Sequence, residues 1–340
     1  MLIRHDAVSS NELHLLGGLR AGTHQDGHLI LYPTTDGKVL ACKSVRDTRA
    51  YYQTFRKIGT DLIGHERHTT IAGKQPDSLW TQFYSGKRRQ FEVADHWSGI
   101  AHTSHKAGNH DLATLAKHIA FTFRVSELRL RDCSREYGWQ NEHAVVGKIR
   151  PNGRFWHIKS FDLDMALHSL LTDMGTARDY LGHFTSRYIL REKQPCDSMA
   201  KLYERAKKNK LQVSEAGSAA LIGKILQICD PTSAEGWMAR LSEFRNIIMH
   251  RAPIGSIASE HYLTAKTLFG GEGQVFQIFF GIPRDPIAAA NTDFVDALAH
   301  FLELFRRLRE FGYMVADASG VEPTILQITD KDIVARPATG

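Results

Sequence analysis

Amphipathic repeats dominate the second half of the sequence. Apolar residues recur every three or four positions over residues 162–191, 197–208, 214–229, 233–250 and 288–313. A period near 3.6 residues is typical of helices that bury one face. We therefore predict four or five helices in this half of the chain, arranged as an up-and-down bundle.

Short apolar runs and turns replace these repeats in the first half. Residues 29–32 and 38–42 flank the turn sequence Thr34–Gly37, which predicts a β-hairpin. Residues 111–137 have helical spacing. Residues 59–109 are rich in Gly, Ser and His and have little periodicity, so we expect loops around a short element near residues 79–83.

Glycine and proline indicate where the parts of the chain meet. Gly147–Gly153, with Pro151 inside it, separates the two halves, and Gln274–Phe280 is a short apolar run typical of a buried strand or hairpin arm. The predicted fold class is mainly α. An α+β N-terminal region (residues 1–150) precedes a helical bundle with an inserted short β element (residues 151–316), and residues 317–340 form a C-terminal tail.

The composition is that of a soluble globular protein. Of the 340 residues, 42% are hydrophobic and 24% are charged. No apolar run approaches the roughly 20 residues that span a bilayer, and the N-terminus lacks the pattern of a secretory leader. Four dispersed cysteines without a Cys-x-x-Cys pair favour a reducing, cytoplasmic environment. A net charge of +6 weakly favours a polyanionic partner such as nucleic acid.

The segment 233–250 combines an apolar stripe with a polar face. At about 100° per residue, four of its side chains form the stripe, namely Trp237, Leu241, Phe244 and Ile248. Asn246 and His250 are four residues apart on the other side, and Arg245 lies at its edge. An arginine can hold a phosphate with two hydrogen bonds, and a histidine can transfer protons near neutral pH. The same residues would also suit an ordinary solvated helix end, where cations are favoured.

The string Arg245-Asn246-x-x-x-His250 resembles the motif of the HEPN superfamily (higher eukaryotes and prokaryotes nucleotide-binding domains). The resemblance covers roughly residues 155–315, with the motif in the penultimate long helix. It implies a homodimer in which two motif helices form one composite site for RNA cleavage without metal or cofactor. The RNA 2′-OH would attack the adjacent phosphate, giving a 2′,3′-cyclic phosphate. His250 would act as general base or acid, Arg245 would stabilise the phosphate charge, and Asn246 would orient the site.

Members of this superfamily that keep the motif are commonly toxins or antiviral effectors. The resemblance therefore implies RNA as substrate and a regulatory protein or antitoxin as a possible partner. We expect the N-terminal 150 residues to regulate the activity or to recognise a trigger. The alternative is a non-catalytic HEPN adaptor that dimerises and binds nucleotide or a partner protein.

Further candidates depend on weaker patterns. Asp179 and Glu243 could support the site, although solvated helix residues and ion pairs have the same pattern. Six basic residues are candidates for RNA binding: Lys201, Arg205, Lys207, Lys208, Lys210 and Arg251. Such runs are usually solvated helix faces.

Histidine pairs raise a third possibility, a metalloenzyme in the N-terminal half. His65 and His68, and likewise His102 and His105, have the spacing His-x-x-His. Neither pair has cysteine or carboxylate partners at ligand spacing, so we predict surface histidines and no metal site.

Overall fold

The structure is a computed structural model. This structure describes residues 11–23, 29–33, 40–42, 53, 55–57, 59–69, 77–83, 91–211, 216–254, 264–270, 273–288 and 293–324. The chain is mainly helical with an N-terminal antiparallel sheet, which confirms the mainly α class. The predicted turn at Thr34–Gly37 lies outside the described residues.

Six strands near the N-terminus form one antiparallel sheet. They are β1 (Asn11–Leu15), β2 (Arg20–Thr23), β3 (Leu29–Tyr32), β4 (Leu40–Cys42), β5 (Leu62–Thr69) and β6 (Asp77–Gln82). Their order in the sheet is β4-β3-β2-β1-β5-β6. The pairing of β3 with β4 confirms the predicted hairpin strands. Strand β6 confirms the short element expected near residues 79–83. The loops expected around it over residues 59–109 are wrong, because this stretch also contains β5 and a helix.

Seven helices account for most of the remaining described chain. They are α1 (Val93–Lys106), α2 (His110–Val146), α3 (Ser160–Phe184), α4 (Met199–Lys207), α5 (Ala216–Cys229), α6 (Trp237–His250) and α7 (Ala297–Ala318). A short π-helical stretch, Thr185–Ile189, follows α3. Among the described residues, no helix has both the length and the apolar character required to cross a membrane.

Two small hairpins lie between α6 and α7. β7 (Thr264–Gly270) pairs with β8 (Gly273–Phe279), which confirms a hairpin arm in the predicted apolar run. β9 (Gly281–Pro283) pairs with β10 (Phe294–Asp296), immediately before α7. The helix predicted from residue 288 therefore begins later, because residues 294–296 join a sheet.

The chain forms two compact units that each draw on three stretches of sequence. The first comprises residues 1–88, 125–175 and 228–307, and the second comprises residues 89–124, 176–227 and 308–340. The predicted boundary at residue 150 lies inside the middle stretch of the first unit. Helices α2, α3 and α7 each contribute residues to both units, so neither unit is a continuous segment.

Each unit has an apolar core of its own. In the first unit one face of the sheet is buried around Leu15, Leu31 and Leu62, and Phe244 of α6 packs edge-on against Phe301 of α7. In the second unit Trp97 of α1 packs edge-on against Phe184 of α3. Burial of such large side chains is the main favourable contribution to folding.

Candidate functional site

Helix α6 carries the motif residues on its last two turns. The predicted apolar stripe is buried, namely Trp237, Leu241, Phe244 and Ile248. Asn246 and His250 are exposed, so the helix separates a core face from a solvent face as its periodicity predicts. The helix ends at His250, and the N–H of Arg251 donates to the carbonyl of Ile247.

Arg245 is half-buried and lies across Gly175 of helix α3. A Cβ atom placed on Gly175 would be 2.3 Å from Cδ and 2.9 Å from Nε of Arg245. Any residue other than glycine at this position of α3 would therefore displace the arginine side chain. The glycine is buried inside a helix, where it costs stability relative to alanine, so its role is to make room for Arg245.

Two further contacts define the surface around His250. Glu243, two positions before Arg245, accepts a hydrogen bond of 2.7 Å from Arg251, which directly follows His250, so this carboxylate is ion-paired. Met249 is 45% exposed, and its Sδ lies 3.9 Å from Oγ1 of Thr172 on α3. The exposed surface next to Asn246 and His250 is therefore partly apolar.

Two further exposed apolar side chains lie on the first turns of α3. Phe161 and Met165 are both exposed and, being four residues apart, lie on one side of the helix. Large exposed apolar side chains that occur together mark interaction surfaces more often than isolated ones do. Both residues belong to the first compact unit, as does the motif.

Asp179 has partners within the second compact unit. Arg178 donates to its Oδ1 over 2.7 Å, and the backbone N–H of Met199 donates to the same oxygen over 3.3 Å. Met199 is the first residue of α4, where a carboxylate stabilises the unpaired N–H groups of a helix start. These contacts give Asp179 a structural role at the beginning of α4.

Much of the predicted basic cluster is paired with acidic groups. Lys201 lies 2.6 Å from Asp197, and Lys208 lies 3.6 Å from Glu204. Arg205 lies 3.8 Å from Glu192 and donates to the carbonyl of Gln194. Exposed pairs of this kind neutralise each other locally, which reduces the attraction of the surface for a phosphate backbone.

The two remaining lysines of this cluster, Lys207 and Lys210, differ in their surroundings. The ammonium group of Lys207 lies 5.9 Å from the centre of the Tyr203 ring, while Lys210 is exposed at the end of the segment. A cation near a ring face is attracted by the ring quadrupole.

A surface that the motif search missed lies between α2 and α3. Trp139, His143 and His157 form a stack with ring centroids 5.5 and 4.1 Å apart. Burial, followed by the nearby His157 and Lys159, lowers the pKa of His143 and favours its neutral ring. Trp156 beside the stack is 71% exposed.

The loop that carries His157 is basic. Between Glu142 and Asp162 the sequence has four basic residues and no acidic one: Lys148, Arg150, Arg154 and Lys159. Lys159 is paired with Asp162 at 2.7 Å. Exposed aromatic rings among cations are typical of surfaces that bind single-stranded nucleic acid. The alternation of basic and aromatic residues in this segment could have indicated the surface from the sequence. The segment was interpreted only as a domain boundary.

The histidine pairs do not form ligand clusters of three within the described residues. The first pair lies on β5, and His105 of the second pair contacts His110 with Nδ1 atoms 3.2 Å apart. The three potential ligands that do converge are Glu12, His14 and Glu66 in the sheet. Sequence spacing does not reveal this group, because Glu66 is on a different strand.

Comparison with known proteins adds no further constraint. No protein-family model matches the chain, and neither curated proteins nor solved structures give a match. The function must therefore be inferred from the chemistry of the described residues.

Proposed function

We propose that the chain is an endoribonuclease of the HEPN type that acts as a homodimer and cleaves RNA without a metal ion. The observation that carries the proposal is the solvent exposure of Asn246 and His250 on a helix whose opposite face is buried. Arg245 stands at the border between the two faces, held over Gly175. An imidazole and a guanidinium are the groups that proton transfer and phosphate stabilisation require.

The proposal that the site is composite follows from helix geometry. Arg245 and His250 are five positions apart, which places their side chains about 140° apart around an ideal helix. Two such groups on one helix converge poorly on a single phosphate. The same helix from a second copy, related by a twofold axis, can supply the missing partner. The exposed apolar side chains of Met249 on α6 and of Phe161 and Met165 on α3 support self-association of the unit that contains the motif.

In the proposed reaction His250 takes the proton from the RNA 2′-OH as the oxygen attacks the adjacent phosphorus. The bond from phosphorus to the 5′-oxygen breaks, and a protonated imidazole returns a proton to that leaving oxygen. Arg245 stabilises the charge that develops on the non-bridging oxygens. The products are a 2′,3′-cyclic phosphate and a 5′-hydroxyl end. DNA has no 2′-OH and is not cleaved by this route.

The RNA partner has support from the charge of the loop before α3. Its basic residues include Arg150 and Arg154, and Trp156 offers an exposed ring on which a base can stack. The ion pairs of the segment 197–208 make that segment the weaker candidate. We therefore propose that the loop of residues 147–159 contributes to RNA binding.

A regulatory role of the N-terminal region, in toxin–antitoxin function or antiviral defence, remains part of the proposal. Its test requires point variants rather than deletion of residues 1–150. Tyr137 of α2 donates to Asp296 and accepts from the N–H of Leu298 at the beginning of α7. Deleting residues 1–150 would remove these contacts from the unit that contains the motif.

The activity is tested by incubating purified protein with total RNA in the absence of added divalent ions. We expect cleavage with cyclic phosphate ends for the wild type and a loss of at least about a hundredfold for His250→Ala. Lys117→Ala, which removes an exposed cation of α2 outside the motif and the basic segments, is the control and should retain most of the activity. Wild-type protein that leaves RNA intact but binds nucleotide would support the adaptor function instead.

A further inference from the structure

A buried polar cluster occupies the face of the sheet opposite the apolar core. Leu13 and Leu15 of β1 contact the core, while Glu12 and His14 alternate with them and point to the other face. Glu66 of β5 is the direct cross-strand neighbour of Glu12. The antiparallel register thus brings two carboxylates and an imidazole together on one face.

The three side chains converge with their ligand atoms. Nε2 of His14 lies 3.3 Å from Oε2 of Glu66 and 3.6 Å from Oε2 of Glu12, and all three ligand atoms lie within 4.8 Å of one another. A tetrahedral site with ligands about 2.0 to 2.1 Å from a zinc ion has ligand atoms about 3.3 to 3.4 Å apart. The two shorter separations are close to this value.

His14 is held with one ring nitrogen directed at the carboxylates. Its side chain is fully buried, Nδ1 lies 3.2 Å from Oγ of Ser134 on α2, and Nε2 forms no hydrogen bond of good geometry. A buried polar nitrogen without a hydrogen bond is costly. Metal-binding histidines typically fix their other nitrogen by such an outer contact. The Trp80 ring, edge-on at 4.9 Å, closes the cluster with apolar surface.

Each carboxylate directs its Oε2 at the imidazole and has a partner on its Oε1. Tyr32 donates to Oε1 of Glu12 over 2.8 Å, while Arg135 donates to Oε1 of Glu66 and, over 3.3 Å, also to its Oε2. Carboxylates whose outer oxygens are held in this way are fixed in the orientation that a metal ligand requires.

The two carboxylates face each other across paired strands. Nε of Arg20 lies 3.8 Å from Oε1 of Glu12, and Arg135 is ion-paired with Glu66. Glutamates directly opposite each other on paired strands repel, which destabilises the pairing of β1 with β5 unless a positive group lies between them.

We propose that Glu12, His14 and Glu66 bind a divalent transition-metal ion that joins β1 to β5. One imidazole and two carboxylates suit Zn²⁺ or Mn²⁺, and three protein ligands leave a position for water. Glu12 is 26% exposed, so solvent has access to the cluster at this side chain. This site is independent of the proposed RNA cleavage, because none of its ligands belongs to the motif.

The metal content of the full-length protein is the first test. The wild type should contain about one Zn²⁺ or Mn²⁺ per chain by elemental analysis. After treatment with chelator, titration with ZnCl₂ or MnCl₂ alone should restore one equivalent and raise Tm. Folded wild-type protein that binds neither ion and whose Tm is unaffected by chelator would overturn the proposal. The cluster would then be a network of ion pairs with Arg20 and Arg135 that holds no metal ion.

Two matched variants locate the ion. Glu12→Gln keeps the shape of the side chain and an acceptor for Tyr32, and it should weaken binding by more than about a hundredfold, since ligand loss costs at least as much as loss of an outer contact. His65→Gln changes a neighbouring histidine on the other face of β5 and should bind like the wild type. Equal binding by both variants, or loss only in His65→Gln, would place the ion elsewhere and contradict the assignment. If Glu12→Gln does not fold, the wild-type titration decides.

Discussion

The position of Arg245 depends on a residue that lies outside the motif. Gly175 leaves the space on α3 in which the aliphatic part of Arg245 lies. Sequence inspection finds the arginine from its motif but not the glycine, because a helix with an internal glycine gives no sign of what packs against it. The contact is a property of two helices and emerges only when α3 and α6 are seen together.

Gly175→Ala should therefore lower the rate of RNA cleavage while leaving the stability of the fold nearly unchanged. The new methyl group would push the arginine side chain away, and a displacement of about 1 Å can reduce catalysis by about a hundredfold. We expect RNA cleavage to fall by at least tenfold while urea unfolding changes little, since the displaced side chain is flexible.

Gly223→Ala in α5 is the control for this change. No atom lies within 4 Å of the added Cβ, so the variant should gain about 0.5 to 1 kcal/mol from helix propensity and cleave like the wild type. Equal cleavage rates for the two variants would show that Gly175 does not position Arg245.

The proposed metal ligands could not be recognised as a group from the sequence. Glu12 and His14 show the alternation of a strand, but Glu66 follows 52 residues after His14 in the numbering. Only the pairing of β1 with β5 makes them neighbours. The histidine pairs found by spacing were nearer in sequence and did not form such a group within the described residues.

At the scale of elements, periodicity predicted most helices and failed for the middle of the first half. Helices α3, α5 and α6 lie within the predicted segments to within a few residues. Helix α1 was missed although Val93, Trp97 and Ile100 are buried at helical spacing. The surrounding histidines and glycine hid this pattern. Strand β5 was missed because one of its faces carries polar side chains. Glu66 on that face joins Glu12 and His14 only through the pairing of two distant strands.

The packing of His300 against the buried face of α6 should make the stability of the protein depend on pH. His300 of α7 lies edge-on to Phe244, 5.6 Å between ring centroids. Burial, together with the charges of Arg284, Arg240 and Arg307, lowers its pKa from 6.5 to about 4. Because the native state binds the proton less readily than the unfolded chain, stability falls as the pH decreases from 6.5 toward 4.

The size of this effect is measurable by urea unfolding. Between pH 8 and pH 5, His300 alone should lower the free energy of unfolding by about 2 kcal/mol. The His300→Gln variant has no imidazole to protonate at this position. Its free energy of unfolding should therefore fall by about 2 kcal/mol less over the same pH range. An identical pH dependence in both proteins would mean that His300 is solvated in the native state.

At the scale of the whole molecule, the sequence predicted consecutive domains, and the structure forms two units from interleaved stretches. A helix such as α2, 37 residues long, can contribute to two cores, and local composition cannot reveal this. The coarse division into an N-terminal sheet and later helices could be predicted because it depends on local periodicity.

Self-association should depend on the apolar surface beside the motif. Met249→Asp places a charge next to Thr172 and should shift the protein toward monomer in light scattering, because a charge is costly in an apolar interface. Met314→Asp changes a similarly exposed methionine of α7 in the other unit and should leave the mass unchanged. A wild type that is monomeric at all concentrations would contradict the proposed dimer.

The composite site is tested most directly by combining two inactive chains. Arg245→Ala retains His250, and His250→Ala retains Arg245, so neither homodimer has a complete pair. A mixed dimer, co-expressed with two different tags and purified through both, keeps one pair whose members come from different chains and has no complete pair within a chain. We predict that each homodimer is inactive and that the mixed dimer recovers about half of the wild-type cleavage rate, since one of two equivalent pairs is intact. A purified mixed dimer as inactive as its parents would contradict the account.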